Sequence, residues 1–494
     1  MTKVAAVIVA GNASEAERQA RIALGKGADL VELRLDEIAE LRPETIRRLA
    51  KAVGEHAIAT VRSPGQGGSQ RRGGPPRSAV MKEVCDQRFA YVDLELEEDG
   101  KELDALARVA HRRGTKIIAS HHFAEAVDVH RASETLEACA ARGDVAKVVT
   151  PALDFGSAVQ LVDLARERTD RSRPFILIGS GAAGMVTRAL ADALGEEIQY
   201  ASWGNAAAPG QLPLATATRL RGREPVILGL IGHPLEYSLS PVIHEAALSA
   251  LNLPAVYLPF DIPLDSLDPF LVAADRLRIG GFNVTHPLKE PVAQRMDELD
   301  ADAERLGAVN TVVVQDGWTV GHNTDVYGFR VSLRALGLRL GDRTALVVGA
   351  GGAARAVVDV LLREGASVEV TNRTIARAEA LADSFDDSVA VIPLESLQRA
   401  GPWDLLVNAT PIGMRGVASP LPVPESIVAK AAFVYDLVYN PTVTPLLQAA
   451  RRLNRPGTSG LDMLLHQAAK AFELWTGQSS PFDAMRRAAK EALR

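Results

Sequence analysis

A lysine stands in the middle of an apolar run in the first half of this 494-residue chain. Lys147 lies within Val145-Ala146-Lys147-Val148-Val149, a composition typical of a buried β-strand. An ammonium group without a partner is costly in such surroundings and tends to lose its proton. Because a neutral lysine amine attacks carbonyl carbons, Lys147 is a candidate for imine formation with a ketone. A strand-end lysine that reaches water would fit this segment equally well.

Two adjacent histidines end the preceding predicted strand. A lysine imine makes the α-proton of a ketone acidic, and a nearby histidine can carry that proton. We predict that His121 continues the functional face of its strand and acts as this base. His122 is the rival base, but we expect it to point the other way and to be structural.

The elements that position these residues are predicted from residue 4 to about residue 220. Short Val/Ile/Ala-rich runs alternate there with amphipathic helical stretches, which indicates parallel βα units. The predicted strands are 4–10, 29–36, 56–62, 91–96, 115–121, 145–151, 175–180 and 197–203. Their number predicts a (β/α)8 TIM barrel, in which catalytic groups gather at the carboxyl ends of the strands. The polar residues at those ends are Glu32, Arg34, Arg62, His121 and Lys147.

This first half resembles type I 3-dehydroquinate dehydratase from residue 4 to about residue 215. The motifs are Glu32-Leu33-Arg34-Leu35-Asp36, Arg62 before a Gly-rich loop, Asp93-Leu94-Glu95-Leu96, Ser120-His121-His122-Phe123, Lys147 and Ala208-Pro209-Gly210-Gln211. The resemblance implies that Lys147 forms a Schiff base with the substrate ketone, and that His121 removes the adjacent proton and helps expel the hydroxyl as water. It further implies substrate contacts for Glu32, Arg34, Arg62 and Gln211, and for Arg188 as the carboxylate partner. An ordinary exposed helix arginine is the alternative for Arg188.

Two positions depart from that family. Gln66 stands where a glutamate is usual, and Ala207 where a serine is expected. Both belong to loops that should cover the substrate, so we expect reduced rather than absent dehydratase activity. The segment 63–77 is predicted to be a mobile lid, with a passive surface loop as the alternative.

A glycine fingerprint marks the second half, which begins near Arg221-Gly222-Arg223-Glu224-Pro225. Predicted strands at 226–231, 255–260 and 279–285 precede a further α/β region that opens at Arg343. A predicted strand at 344–348 then leads into Gly349-Ala350-Gly351-Gly352-Ala353-Ala354, which matches the dinucleotide-binding pattern in its proper context. The glycines allow a pyrophosphate to approach the start of the following helix.

The end of the next predicted strand, 367–370, concerns the choice of cofactor. It is followed by Thr371-Asn372-Arg373-Thr374, with Arg377 one turn later. Two arginines favour a 2′-phosphate and therefore NADP(H). Glu369 is the alternative, because an acid at about this distance is typical of NAD-binding proteins, but it falls inside the strand.

Two helix starts could bind the substrate of this half. Ser240 followed by Pro241 is predicted to cap a helix, whose terminus would also favour a carboxylate. Pro287 is predicted to start another helix, with Lys289 in its first turn, where the helix dipole disfavours a cation and eases proton loss. Asp325 is a candidate acid/base partner for Lys289. Capping alone, and a solvated helix lysine, are the alternatives.

Residues 226 to about 490 resemble shikimate dehydrogenase. Further motifs are Ala308-Val309-Asn310-Thr311, Asn408-Ala409-Thr410-Pro411, Asp436-Leu437-Val438-Tyr439-Asn440-Pro441, and Gly460-Leu461-Asp462-Met463-Leu464 running to Gln467. The resemblance implies that Ser238 and Ser240 bind the carboxylate, that Lys289 and Asp325 form the catalytic pair, and that the second serine favours shikimate over quinate. Implied on the hydroxyl side are Thr285, Asn310, Tyr439 and Gln467. Implied around the cofactor are Gly349, Ala350, Gly351, Gly352, Ala353, Asn372, Arg373, Thr374, Arg377, Thr410, Leu437 and Gly460.

The composition is that of an ordinary globular protein. Hydrophobic residues make up 47% and charged residues 23%, with a net charge of −6. No basic tract indicates nucleic-acid binding, and neither Cys85 nor Cys139 has the spacing of a metal ligand. We expect no metal, no targeting segment, no membrane span and a cytoplasmic location.

The sequence therefore predicts a bifunctional shikimate-pathway enzyme that dehydrates 3-dehydroquinate and reduces the product with NADPH. The predicted domains are a dehydratase barrel at 1–222, a substrate-binding domain at 223–330, a Rossmann domain at 331–455 and C-terminal helices at 456–494 that pack back on the substrate domain. A barrel that serves only as a scaffold for an active dehydrogenase, and a non-enzymatic metabolite sensor, are the alternatives.

Overall fold

The computed structural model of the chain describes residues 1–69, 75–168, 170, 172–204, 210–386, 388–417 and 421–494. The chain forms two compact units. The first comprises Met1–Ile227, Asn252–Val256 and Asp268–Arg278, and the second comprises Leu228–Leu251, Tyr257–Leu267 and Ile279–Arg494. The predictions made for Ala207, for Ala208 and Pro209 of the Ala-Pro-Gly-Gln motif, and for positions 70–74 of the lid lie outside the described residues.

The first unit contains a parallel sheet whose strands alternate with helices. The strands are β1 Lys3–Ile8, β2 Leu30–Arg34, β3 Ala57–Thr60, β4 Tyr91–Glu95, β5 Lys116–His122, β6 Val145–Pro151, β7 Phe175–Ser180, β8 Ile198–Ser202 and the short β9 Leu212–Pro213. The helices are α1 Ala13–Gly25, α2 Pro43–Val53, α3 Arg77–Cys85, α4 Leu103–Arg112, α5 Val129–Ala140, α6 Phe155–Glu167, α7 Met185–Leu194 and α8 Leu214–Leu220.

The sheet curls into a barrel with a packed interior. Its order is β7-β6-β5-β4-β3-β2-β1-β8-β9, and the amide of Glu197, just before β8, donates to the carbonyl of Phe175 at the start of β7 at 2.9 Å. Each of the strands β1 to β8 contributes to one interior cluster of buried side chains, which includes Ile58, Ile118, Ile176 and Tyr200. A second core fills the space between the first strands and their helices. Apolar burial on both faces explains the continuous Val/Ile/Ala runs.

The barrel prediction is confirmed, and all eight predicted strands are present. Six of them differ from the predicted bounds by one or two residues, most visibly β3, which ends at Thr60. Arg62 therefore lies just beyond its strand rather than at its last position.

The second unit contains two further sheets. One has the order β11-β10-β12-β14-β15-β13 and the other the order β18-β17-β16-β19-β20-β21. The strands are β10 Val226–Gly232, β11 Ala255–Asp261, β12 Ile279–Val284, β13 Glu298–Leu299, β14 Thr311–Gln315, β15 Trp318–His322, β16 Thr344–Val348, β17 Ser367–Thr371, β18 Val389–Val391, β19 Trp403–Asn408, β20 Ala431–Asp436 and β21 Gly457–Ser459. The helices that follow in the chain are α9 Ser240–Ala250, α10 Leu267–Ala274, α11 Lys289–Ala293, α12 Ala301–Leu306, α13 Thr324–Ala335, α14 Gly352–Arg363, α15 Ile375–Asp383, α16 Glu425–Val428, α17 Pro445–Arg452, α18 Leu461–Thr476 and α19 Phe482–Ala492.

The last of these sheets is a parallel Rossmann sheet. Strand β16 pairs in parallel with both β17 and β19, and β20 continues the sheet beyond β19. The strands are rich in valine and leucine because helices cover both faces. None of the helices in the described part of the chain is long and apolar enough to cross a bilayer.

Candidate active sites

Lys147 is buried in the barrel interior and has partners on several sides. It is 3% exposed. Its Nζ lies 3.1 Å from a carboxylate oxygen of Asp93 and 3.9 Å from one of Glu32. The face of the Tyr200 ring lies on a further side, 4.1 Å from Nζ to the ring centroid. The sequence pattern suggested an ammonium without a partner, and that expectation is wrong because its partners come from distant strands.

A network of hydrogen bonds surrounds Asp93. Arg62 donates to Asp93 at 3.0 Å and to Glu95 at 3.0 Å, and its Nη1 lies 3.2 Å from the Ser120 hydroxyl. Ser120 in turn donates to Asp93 at 2.5 Å. Burial alone would raise the pKa of Asp93, but the charges of Arg62 and Lys147 and the bond from Ser120 hold it well below its usual range. The carboxylate that faces Lys147 is therefore ionised.

The two histidines occupy opposite faces of β5. Ser120 faces the interior through Asp93 and Arg62, and strand alternation places residue 122, two positions on, on the same face. Burial and the charges of Arg62 and Lys147 hold the pKa of His122 well below its usual range, so its ring is neutral.

His121 points away from the barrel interior. Its ring packs edge-on against Phe123 with centroids 4.3 Å apart, and its Nδ1 lies 3.9 Å from Glu97. The prediction that His121 continues the functional face is therefore wrong. Alternate residues counted from Ser120 lie on the interior face, and the next of these is His122.

Four other predicted barrel residues are distributed as follows. Glu32 accepts from Thr60 at 2.9 Å, and Arg34 binds Asp36 with both Nε at 3.0 Å and Nη2 at 2.6 Å. Arg188 is 6% exposed, so it is not an ordinary surface arginine. Among the described residues it has no ion-pair partner and its Nε has no hydrogen-bond partner. Burial lowers the pKa of Arg188 to about 10. Gln211 is half-buried and directly precedes β9.

Gln66 bonds to the strand that carries the histidines. Its side-chain oxygen accepts from the backbone N–H of His122 at 2.9 Å. This residue ends the short 3-10 turn Pro64–Gln66 after β3. The amide that replaces the usual glutamate therefore supports the backbone at His122.

Lys289 and Asp325 form a close pair in the second unit. Nζ of Lys289 lies 2.5 Å from Oδ2 of Asp325, and Oδ1 of Asp325 accepts from the Asn310 amide at 2.9 Å. That amide lies 3.3 Å from the side-chain oxygen of Gln467. The helix that contains Lys289 begins at Lys289 itself, not at Pro287 as predicted. The structure thus brings four predicted residues together.

A hydrogen-bonded path joins this pair to the predicted carboxylate site. Ser240 is hydrogen-bonded to Tyr257, whose hydroxyl donates to Asn283 at 2.7 Å. Asn283 donates to Thr311 at 3.0 Å, and Thr311 donates to Asn310 at 3.1 Å. The chain Ser240, Tyr257, Asn283, Thr311 and Asn310 therefore ends at the amide that binds Asp325.

The serine loop lies beside Tyr439. The Ser240 amide donates to the Ser238 hydroxyl at 3.3 Å, and the Leu239 amide is hydrogen-bonded to the Tyr439 hydroxyl. Burial raises the pKa of Tyr439. Ser240 is the first helical residue and Leu239 the N-cap, so the predicted capping role of Ser240 is wrong. Thr285 is half-buried, and its amide donates to Ile231 in β10 at 2.9 Å.

The glycine turn after β16 has room for a pyrophosphate. Gly349 has φ +118°, and a Cβ there would lie 2.9 Å from the carbonyl oxygen of Ala409. A Cβ at Gly351, the N-cap of α14, would meet nothing within 4 Å. Gly352 packs against Lys289, since a Cβ there would lie 3.2 Å from the lysine Cδ. Ala350 and Ala353 lie half-buried in the same turn. These residues therefore fit a dinucleotide beside Lys289.

The end of β17 presents positive charge. Arg373, Thr374 and Arg377 are exposed, and Asn372 donates to the carbonyl of Thr374 at 2.9 Å. Neither arginine has an ion-pair partner among the described residues. Glu369, the alternative ribose ligand, accepts from the Trp403 indole at 2.5 Å from within the strand. The site therefore fits a 2′-phosphate better than a bare ribose.

The remaining predicted cofactor residues line neighbouring strand ends. Thr410 donates to the Asn408 side chain at 2.7 Å, just after β19. Leu437 follows β20, and its amide donates to the Asn408 carbonyl at 2.9 Å. Gly460 is the N-cap of α18 and packs against the Leu437 backbone so closely that no side chain would fit.

Sequence reasoning missed several polar residues of these sites. Asp93 and Glu95 alternate on one face of β4, a spacing that signals two inward carboxylates. Asn283 and Tyr257 carried no signal of their own, because their role depends on contacts between strands. Tyr200 likewise gave no signal in the sequence, because it lies within an apolar run.

Comparison with known proteins identifies both halves. Residues 4–221 match the family model of type I 3-dehydroquinase. Residues 230–312 match the shikimate dehydrogenase substrate-binding domain, residues 331–412 match shikimate/quinate 5-dehydrogenase, and residues 460–490 match the shikimate 5′-dehydrogenase C-terminal domain.

Individual relatives agree with these matches. A shikimate dehydrogenase (NADP(+)) from Caldanaerobacter subterraneus subsp. tengcongensis is 43% identical over 257 residues, which are 51% of this chain and 92% of the relative. The shikimate 5-dehydrogenase of Thermus thermophilus, solved with NADP(H) and shikimate, is 40% identical with a TM-score of 0.50, and the match covers 54% of this chain and 100% of that one. A dehydroquinate dehydratase and shikimate dehydrogenase structure from S. pombe is 26% identical with a TM-score of 0.45, over 99% of this chain and 98% of that one. On the family models and the Caldanaerobacter relative, the chain belongs to the shikimate dehydrogenase family in its second half and carries a type I 3-dehydroquinase domain in its first.

Proposed function

We propose that this chain catalyses two consecutive steps, the dehydration of 3-dehydroquinate to 3-dehydroshikimate and the NADPH-dependent reduction of that product to shikimate. The observation that carries the first step is the position of Lys147, buried in the barrel beside Asp93 and Glu32. The reaction classes follow from the family of each half. The roles of individual residues, the domain limits at 222, 330 and 455, and a cytoplasmic location are part of the proposal.

In the barrel, Lys147 attacks the substrate ketone and releases water as the imine forms. His122 takes the proton from the carbon next to the imine, because its neutral ring lies on the interior face with Ser120. The same imidazole then protonates the departing hydroxyl, and water hydrolyses the imine, which releases 3-dehydroshikimate and restores the Lys147 amine. Arg188, a buried guanidinium without an ion-pair partner among the described residues, binds the substrate carboxylate.

In the second unit, Lys289 protonates the carbonyl oxygen of 3-dehydroshikimate, and Asp325 holds the lysine in place. NADPH supplies the hydride when it is bound. Gly349, Gly351 and Gly352 would hold its pyrophosphate, and Arg373 with Arg377 its 2′-phosphate. Ser238 and Ser240 bind the substrate carboxylate. We propose shikimate, rather than quinate, as the product.

The scaffold alternative is not favoured. Gln66, one of the two departures from the dehydratase family, supports the His122 backbone at 2.9 Å. A scaffold also has no need for a buried lysine surrounded by ionised groups, which costs folding energy.

Borohydride trapping tests the dehydratase proposal. Reduction in the presence of 3-dehydroquinate should add the mass of the reduced ligand to the peptide that contains Lys147. Lys147→Met is the matched control and should show no adduct. An adduct elsewhere, or none on the wild-type peptide, would overturn the barrel mechanism.

A further inference from the structure

Tyr200 is the buried group at the barrel site that the scheme above leaves without a role. It lies in β8, is 4% exposed, and presents its ring face to Lys147 with 4.1 Å between Nζ and the ring centroid. Its hydroxyl has no hydrogen-bond partner among the described residues. The ring, and not the hydroxyl, is therefore what Tyr200 offers the lysine.

The chemistry at Nζ removes protons from the nitrogen and leaves a positive charge on it. Nζ of Lys147 donates one hydrogen bond, to Asp93 at 3.1 Å, and lies 3.9 Å from Glu32 and 4.1 Å from the centroid of the Tyr200 ring. Condensation of the neutral amine with the ketone and one proton expels one water and leaves a cationic imine with a single N–H. That N–H can serve at most one of the two carboxylates, whereas the positive charge remains.

Attraction to an aromatic face depends on charge and distance, not on the number of N–H groups. A ring that contacts Nζ therefore stabilises the positive charge of the imine whether or not its single N–H keeps a hydrogen bond. Burial strengthens this effect, because little water screens the interaction.

We propose that Tyr200 is a catalytic residue of the dehydratase, whose ring face stabilises the cationic imine nitrogen of Lys147. This inference rests on the proposed Schiff-base function. It adds a role that the hydrogen-bonding network around Asp93 and Arg62 does not supply.

Substitution at position 200 tests the ring separately from the hydroxyl. Tyr200→Leu should lower kcat for dehydration by about 10- to 30-fold with little change in KM, because the ring contacts the reacting nitrogen and a desolvated cation–π contact has about this strength. Tyr200→Phe keeps the ring and should restore kcat to within about threefold of wild type. Tyr91→Leu is the matched control, since Tyr91 belongs to the same interior cluster but contacts Lys3 and Glu197 instead.

A fluorinated series gives the sharper test, because it changes the ring quadrupole with little change in shape. Phenylalanine with one, two and three ring fluorines at position 200 should lower kcat in steps. The shikimate dehydrogenase activity of the same chain measures the concentration of folded enzyme in every variant.

The outcomes separate this inference from the function on which it rests. A wild-type enzyme without a trapped Lys147 adduct overturns the proposed function. A normal adduct together with equal kcat for Tyr200→Leu and Tyr200→Phe, or a flat fluorine series, overturns the role of Tyr200 alone. An equal loss in Tyr91→Leu would assign the effect to packing and also overturn it.

Discussion

The two lysines to which we assign catalytic roles lie in different surroundings. Lys147 has a side chain that is 4% exposed, with two carboxylates and an aromatic ring near Nζ. Lys289 has a side chain that is 17% exposed and a single carboxylate at 2.5 Å. A lysine that becomes covalently bound needs surroundings that stabilise the charge of its cationic imine. A lysine that only donates a proton must regain it in each cycle, and greater exposure to water serves that need.

The two lysines also lie in different secondary-structure elements. Lys147 lies within β6, in register with Ser120 on one side and Ile176 on the other. Lys289 begins the short helix α11, and its aliphatic part packs against Gly352 of the cofactor turn. The first lysine is thus positioned by a sheet, and the second by a short helix that packs against the glycine turn after β16.

Replacement of each lysine by methionine should separate the two activities and gives the largest expected effect. Lys147→Met removes the nucleophile and should lower dehydration by at least about 10⁴-fold, whereas Lys289→Met should lower the reduction of dehydroshikimate by about 10²- to 10⁴-fold. Both activities should be measured on both variants. Each variant is the control for the other, and loss of both activities in one protein would break the comparison.

Alanine substitution of the two histidines tests which face of β5 is catalytic. His122→Ala should lower dehydratase kcat by about 10²- to 10⁴-fold, because it removes the interior base. His121→Ala removes a ring that packs on Phe123 and should cost less than about tenfold. Single-turnover dehydration of 3-dehydroquinate measures both. The reverse order would restore His121 as the base.

The histidines also show where sequence reasoning stops. The barrel, its eight strands and the lysine could be predicted, because they depend on apolar periodicity within single segments. The face of a strand depends on where counting begins, and a shift of one residue exchanges the two faces. Counting alternate residues from Ser120 gives the interior face, but the evidence that Ser120 faces inward is its contact with Asp93 on the neighbouring strand.

The dehydrogenase half was more predictable because its motifs carry their own context. Strand, glycine turn and helix follow one another between Thr344 and Arg363. The pairing of Lys289 with Asp325 spans 36 residues; Asp325 was a candidate partner from the residues themselves, and the family resemblance implied the same pair. The helix starts at Ser240 and Lys289 were each misplaced, because proline marks the neighbourhood of a helix start without fixing which residue is the cap.

Removal of the arginines at the end of β17 should alter the choice of cofactor by a smaller factor. Arg373→Ser with Arg377→Ser should raise KM for NADPH by about 10- to 100-fold, since each arginine is expected to donate charged hydrogen bonds to a phosphate. KM for NADH should change little, and it is the control. An equal rise for both cofactors would show that these arginines do not distinguish the 2′-phosphate.

Buried carboxylates in the two units contrast as the lysines do. Asp93 lies beside Arg62 and Lys147, which hold its pKa well below the usual range. Asp436 is fully buried, and its donors among the described residues are all neutral, namely Thr444 at 2.5 Å, Asn408 at 2.8 Å and the Val438 amide at 3.1 Å. Burial therefore raises the pKa of Asp436 to about 6, despite those hydrogen bonds.

The stability of the Rossmann sheet should consequently fall as the pH rises from about 4 to about 6 and then level off. A carboxyl whose pKa is raised on folding stabilises the fold fully below its unfolded value of about 3.9, and this stabilisation is lost as the pH rises through about 6. The rise in the pKa of Asp436 corresponds to about 3 kcal/mol.

Hydrogen exchange of peptides from β19 and β20, corrected for the intrinsic pH dependence, should show weaker protection at pH 8 than at pH 5. Asp436→Asn should remove that difference, because an amide keeps the hydrogen bonds and cannot ionise. Peptides from β4 should show no such loss, since Asp93 stays ionised across this range and loses its contribution only in acid. If protection of the β19 and β20 peptides still falls equally with pH in Asp436→Asn, another group causes the pH dependence and the contrast between the two carboxylates is removed.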